Sequence, residues 1–150
     1  MTTRTRSAHP VLYGTLAVGT LDALDAIVFF GLRSGTTPMR IGQSIAGGLF
    51  GRRSFQMGLH SAALGWMLHY LVAFLIVSIF YGLSRLIPFM RRQWLVSGIV
   101  YGIAAYFVMN YVVLPLSAAG RGPFVLPVFV NGILIHAFGV GLAAAWFSRE

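Results

Sequence analysis

The stretch Val11–Leu32, VLYGTLAVGTLDALDAIVFFGL, constrains this chain most, because two demands collide in it. Its length is close to the roughly 20 apolar residues that carry one helix across a bilayer. Yet it holds Asp22 and Asp25, two of the three acidic residues in the whole sequence. A carboxylate near the bilayer centre costs about 2.5–3.5 kcal/mol even on the lenient insertion scale. Other parts of the chain must therefore face these two groups, and the fold has to bring them there.

Composition decides the class. Hydrophobic residues make up 57% of the chain and charged residues only 9%, against about 25% charged in a soluble domain. The chain reads as an integral membrane protein, and 150 residues make one domain. All eleven basic residues are Arg, which fits a GC-rich bacterial genome. A net charge of +8 would point to nucleic acid in a soluble protein. Here the Arg residues flank apolar runs, where they meet headgroups, so the expected partner is the lipid bilayer and not nucleic acid. The absence of Cys excludes disulfides, thiolate metal sites and covalent haem attachment.

The apolar runs predict an all-α, polytopic membrane fold with four transmembrane helices: Val11–Leu32, Met57–Leu86, Trp94–Leu116 and Leu126–Phe147. The basic start MTTRTRSAHP resembles that of a signal peptide, but the run after it is long, is interrupted by acids and lacks a cleavage site. It is expected to stay as the first span, with Pro10 in the first turn, where its missing N–H costs nothing. Pro88 and the Arg91–Arg92 pair close the second span, and Trp94 and Trp146 are interface anchors. The Gly- and Pro-rich loop Ser117–Pro127 should be irregular. Between the first two spans, Ile41, Ile45, Gly48 and Leu49 recur at helical spacing. A short helix over about 38–53 is expected, either interfacial or re-entrant. With both termini cytoplasmic, six Arg residues lie inside (4, 6, 85, 91, 92, 149) and five outside, which gives N-in, C-in by one residue. A bias this small also suits a dual-topology dimer.

Depth brings the polar residues together. At 1.5 Å per residue, Asp22 lies about 15 Å, Asp25 about 10 Å, His69 about 18 Å and His136 about 15 Å from one membrane face. Asn110 and Asn131 fall near the level of Asp25, and His60 lies near the surface. Helical phase turns the midplane residues inward. Thr15, Gly19, Asp22 and Ala26 form one stripe; Gly58, Ala62, Gly65, His69 and Ala73 a second; Gly132, His136, Gly139 and Ala143 a third. Small residues four apart let transmembrane helices approach closely. A fourth stripe, Gly98, Gly102 and Ala105, has no evident use in a simple bundle and points to a homo-oligomer or a larger membrane complex.

Four uses of the cluster Asp22, Asp25, His69, His136, Asn110 and Asn131 are open. It is a hydrogen-bonded network that fixes helix packing, or a proton or cation pathway, which intramembrane ionisable groups often mark. Alternatively Asp22, Asp25, His69 and His136 hold a metal, or His69 and His136 ligate haem b, with Gly65 and Gly139 making room. Two carboxylates three residues apart share a helix face, and such a pair does not ionise twice cheaply in a low dielectric. No His-Glu-x-x-His, phosphate-binding Gly-rich loop or nucleophile elbow is present, and an enzyme is not expected. A non-catalytic accessory subunit is the alternative to transport.

The runs Pro38–Gly51 (PMRIGQSIAGGLFG) and Leu114–Phe124 (LPLSAAGRGPF) resemble uncharacterised small bacterial inner-membrane proteins of the YagU-like kind. The resemblance implies a bacterial inner-membrane location and no assigned chemistry.

Overall fold

A computed structural model of the protein describes residues 9–149, and no strand occurs among them. Four helices are long and apolar enough to cross a membrane. They are α1 (His9–Ser34), α3 (Gly58–Leu86), α5 (Trp94–Leu116) and α6 (Leu126–Ser148). A thirteen-residue helix, α2 (Pro38–Phe50), lies between the first two, and a short helix, α4 (Pro88–Arg92), turns the chain from α3 into α5. The predicted spans thus appear within a few residues of their expected bounds. Arg4 and Arg6, on which the one-residue orientation bias rests, lie outside the described residues.

Local chemistry sets the helix ends. After α1 the Gly35 N–H donates to Gly31 and the Thr36 N–H to Phe30, with Gly35 at φ +65. Such a left-handed close suits glycine, which carries no Cβ to clash. Thr37 then caps α2, its hydroxyl accepting from the Arg40 N–H, and Pro38 takes the first turn.

The segment that the sequence left as interfacial or re-entrant is a helix packed into the protein. Its Ile41, Gly42, Gln43, Ala46 and Gly47 are buried, and it crosses the first turns of α3. A Cβ on Gly42 would stand 2.6 Å from the Ala62 carbonyl oxygen, and one on Gly65 would overlap the Gly42 carbonyl. Polar groups at this crossing are satisfied internally. The Gln43 amide donates to the Gly58 carbonyl at 3.0 Å, and the Ser61 hydroxyl donates to Ser54 at 2.6 Å. At its other end α2 reaches the α5–α6 loop, whose Ala118 N–H donates to the Gly48 carbonyl at 2.9 Å. The runs Pro38–Gly51 and Leu114–Phe124 therefore meet in space. α2 forms a roof over the end of the bundle where α1 finishes and α3 begins.

The two halves of the bundle differ. Toward the α3–α5 turn, Val18, Ala73, Val77, Phe80, Val140, Ala144 and Ala145 make a buried core. There the Tyr101 hydroxyl donates to the Ile76 carbonyl at 2.7 Å and its ring meets Phe80 edge-on. Trp94 and Trp146 pack at 5.4 Å, with the Arg149 guanidinium over Trp146. Toward α2 a space opens among the four spans, lined from each of them. Both α5 and α6 pass through a π turn in that half, Met109–Val113 and Ile135–Gly141. Pro115 accounts for the first, since it lacks the N–H that would bond the Tyr111 carbonyl and crowds that carbonyl.

The small-residue stripes are used unevenly. Gly98 and Gly102 lie against α6 within the same chain: a Cβ on Gly98 would be 2.9 Å from the Gly141 carbonyl oxygen, and one on Gly102 would overlap the His136 carbonyl. The stripe that pointed to a second chain is thus occupied inside the first, and the physical reason is that α5 packs directly on α6. Gly132 faces the Tyr106 ring, and Gly139 lies near Leu21. Gly58 is not a packing glycine, because nothing lies within 4 Å of its Cβ position; its φ of +62 opens α3 instead.

An engineered bridge checks the roof. Cβ atoms at positions 48 and 117 lie 4.0 Å apart, inside the usual disulfide range of about 3.5–4.5 Å. In this Cys-free chain, Gly48→Cys with Ser117→Cys is expected to close fully on oxidation, read as protection from a maleimide mass tag. Two thiols still reactive after oxidation would place α2 elsewhere.

Candidate functional site

The space beneath α2, the inner cavity, measures about 470 Å³, within the range of roughly 300–1,000 Å³ typical of small-molecule sites. Its wall is largely aliphatic, with Val18, Leu68, Val72, Ile76, Val113 and Val140 among the lining residues. Four of the six polar residues expected from sequence line it: Asp22 from α1, His69 from α3, Asn110 from α5 and His136 from α6. A second cavity of about 490 Å³ lies on the other side of Ser44 and Ile45, bordered by Phe30, Thr36, Arg40, Phe55 and Trp66. Asp22 and His69 border both cavities.

The expected six-residue cluster is in fact two pairs and two single residues. Asp22 Oδ2 faces His69 Nδ1 at 3.9 Å. Asp25 turns away from this pair, and its Oδ2 accepts from the Asn131 amide at 2.7 Å, tying α1 to α6. Residues three apart differ by about 60° around a helix, which suffices for the two carboxylates to reach different neighbours. Asn110 donates to the Tyr106 carbonyl at 3.0 Å, one turn back in its own helix. His136 is stacked edge-on by Tyr106 at 5.4 Å.

The cluster is also not buried. Side-chain exposure is 28% for Asp22 and 13% for His69, and no charged side chain is among the buried residues described. The reason is the two cavities that Asp22 and His69 border, which leave open space beside these groups where tight packing was expected.

Hydrogen bonds fix the imidazole tautomers. A carbonyl only accepts, so the 2.7 Å contact between His69 Nε2 and the Gly19 carbonyl places a proton on Nε2. In the neutral ring Nδ1 is then a bare acceptor aimed at Asp22. Likewise His136 Nδ1 donates to the Gly132 carbonyl at 3.0 Å, which leaves Nε2 as the acceptor. Trp66 and Tyr70 flank the His69 ring edge-on at 5.6 and 5.4 Å and hold its plane. The Tyr70 ring fills the space above Gly19, and its hydroxyl pairs with Thr20 at 3.0 Å.

This arrangement does not make a metal centre of Asp22, Asp25, His69 and His136. Among the described residues no three His, Asp or Glu side chains gather closely enough to hold an ion. Asp25 is engaged by Asn131, and His136 shares the cavity lining with the Asp22–His69 pair without pairing with either. The pair alone supplies two ligands, fewer than the three of a catalytic zinc site. For haem b, each imidazole donates one N–H to a backbone carbonyl, the usual orienting contact of a ligating histidine, but the bare Nδ1 of His69 faces Asp22 at 3.9 Å.

Ser44 and Ser117 also line the cavity, and sequence reasoning missed both. Ser44 belongs to α2, whose docking only the tertiary fold reveals, and Ser117 to the loop that α2 touches. Gly141 was missed too, since the π turn carries the α6 contact stripe from His136 to Gly141 in five steps, not four.

Fold and site together define a small multi-pass membrane protein with a roofed intramembrane cavity. No known protein family, curated protein or solved structure matches the chain.

Proposed function

We propose that the protein resides in the bacterial inner membrane, N-in and C-in, and passes a proton or a cation across it at Asp22 and His69. The observation that supports this reading is the position of the pair, which borders two cavities at once with Nδ1 aimed at Oδ2 across 3.9 Å. The pair can hold one proton in either of two places: on Nδ1 facing an ionised carboxylate, or on the carboxyl facing a neutral ring. Either state is internally neutral, so a proton can dwell there without leaving a lone charge in lipid. Elsewhere on the lining, His136 Nε2 and the Asn110 side-chain oxygen offer further acceptors. The all-Arg basic set, which fits a GC-rich bacterial genome, supports the location. An accessory role in a larger complex loses its main support, because the Gly98–Gly102 stripe is occupied within the chain.

The test is a flux measurement. Purified protein in liposomes holding a pH-sensitive dye, with a potassium diffusion potential imposed by valinomycin, is expected to take up protons in proportion to protein content. Uptake no faster than in protein-free vesicles, with sodium and potassium flux also at background, would overturn the reading.

A further inference from the structure

We propose that the inner cavity binds an amphiphilic amine: an apolar aryl or branched-alkyl body carrying a protonated primary or secondary ammonium. This inference deepens the reading above and rests on it for the identity of the carrying pair. Three observations converge on that chemistry.

The first is charge. Asp22 is the cavity's one acid, and among the described residues no Arg lines the inner cavity to neutralise it. Its ion-pair partner is His69, which is uncharged unless protonated. A cation is therefore favoured here and an anion opposed.

The second is the gap. At 3.9 Å the two groups are too far apart for a direct hydrogen bond, which spans about 2.7–3.2 Å. With His69 Nε2 committed to Gly19, two acceptors face each other. A nitrogen about 2.8 Å from both would close a triangle on that base with an apex near 90°, so two N–H bonds of one ammonium fit the opening. A bare metal ion would find only two ligands there, and a quaternary ammonium would bring no N–H at all.

The third is the wall. Leu68, Val72, Ile76, Val113 and Val140 surround the rest of the space. They offer apolar area to a ligand body and nothing to a hydrated inorganic ion, which would lose its water without replacement. Asn110 and His136, which also line the cavity, can meet one further polar group.

The experiment is equilibrium dialysis on wild-type protein in lipid nanodiscs, with empty nanodiscs subtracted for partition. Three probes share one body: naphthylmethylammonium, its N,N,N-trimethyl analogue and naphthylmethanol. Saturable binding of the primary ammonium at one per chain is expected. The other two should bind at least about tenfold more weakly, as the loss of a charge-assisted hydrogen bond implies. Asp22→Asn should lose the ammonium to a similar degree, and Val72→Trp should lose it by filling the cavity. The probe series is read on unaltered protein, so it needs no variant to fold. Equal binding of the alcohol, equal binding of the trimethyl analogue, or no saturable binding would each overturn the inference. Proton flux in the same preparation separates the two readings: flux without amine binding removes this inference alone, and amine binding without flux supports it while removing transport.

Discussion

Placing a single methyl on Gly102 is expected to unseat α5 from α6 and to remove more than about 3 kcal/mol of stability, the upper end of overpacking costs. The added Cβ would overlap the His136 carbonyl and press on Ala137 Cα at 3.0 Å. These are backbone atoms, which cannot rotate aside as a side chain can. The contact is also reciprocal, since a Cβ on Gly141 would overlap the Gly98 carbonyl and stand 2.9 Å from Gly102 Cα. Three glycines thus interlock along one seam. In lipid no hydrophobic term pushes helices together, so the loss of close packing is not offset. Against a total stability of about 5–15 kcal/mol, such a loss is large. Gly82→Ala is the control, because nothing lies within 4 Å of its Cβ position. It should be neutral or gain up to about 1 kcal/mol from helix propensity. Unfolding in mixed micelles with rising dodecyl sulfate, followed by circular dichroism, reads both. A Gly102→Ala protein as stable as wild type would mean that the seam is not the one described.

That seam shows what the sequence made legible. Twenty-residue apolar runs announce spanning helices because bilayer thickness sets their length, and α1, α3, α5 and α6 appear where the runs lie. Gly65, Gly98 and Gly102 were recognisable as close-approach residues because lipid-embedded helices need small ones. Their partners were not recognisable. Gly98 could have faced another chain; that it faces Gly141 follows from a π turn, which no wheel drawn at 100° per residue anticipates. Gly58 has the right spacing for the α3 stripe, yet its positive φ places it outside regular helix geometry. The site was half legible. Depth alone put Asp22, His69 and His136 at one level, and those three share a cavity with Asn110. That the space between them is open, and that Asp25 leaves it for Asn131, depends on how all the helices around the cavity pack. Such packing is a property of the whole bundle, and no local pattern encodes it.

Replacing Asp22 by Asn is expected, on the proposed role, to cut proton uptake about a hundredfold or more, as loss of a positioned proton-transfer group typically does. Asn matches Asp in shape, and position 22 faces a cavity rather than packed neighbours, so stability should stay within about 0.5 kcal/mol of wild type. His69→Gln probes the other half of the pair. Its amide can still donate to the Gly19 carbonyl, but it places no basic nitrogen opposite Asp22, so uptake should fall while the α1–α3 contact survives. Asp25→Asn is the counterpart, since its amide oxygen can still accept from Asn131 and its carboxylate does not line either cavity. Uptake should be unchanged there. Asp22→Leu separates a carrier from a packing device: removing one partner of an ion pair kept for structure destabilises the fold, even where replacing both partners by apolar residues would not. A stable but inactive Asp22→Leu protein supports the carrier. Full uptake by a folded Asp22→Asn protein, or its loss on Asp25→Asn instead, would show that the proton does not pass through this pair.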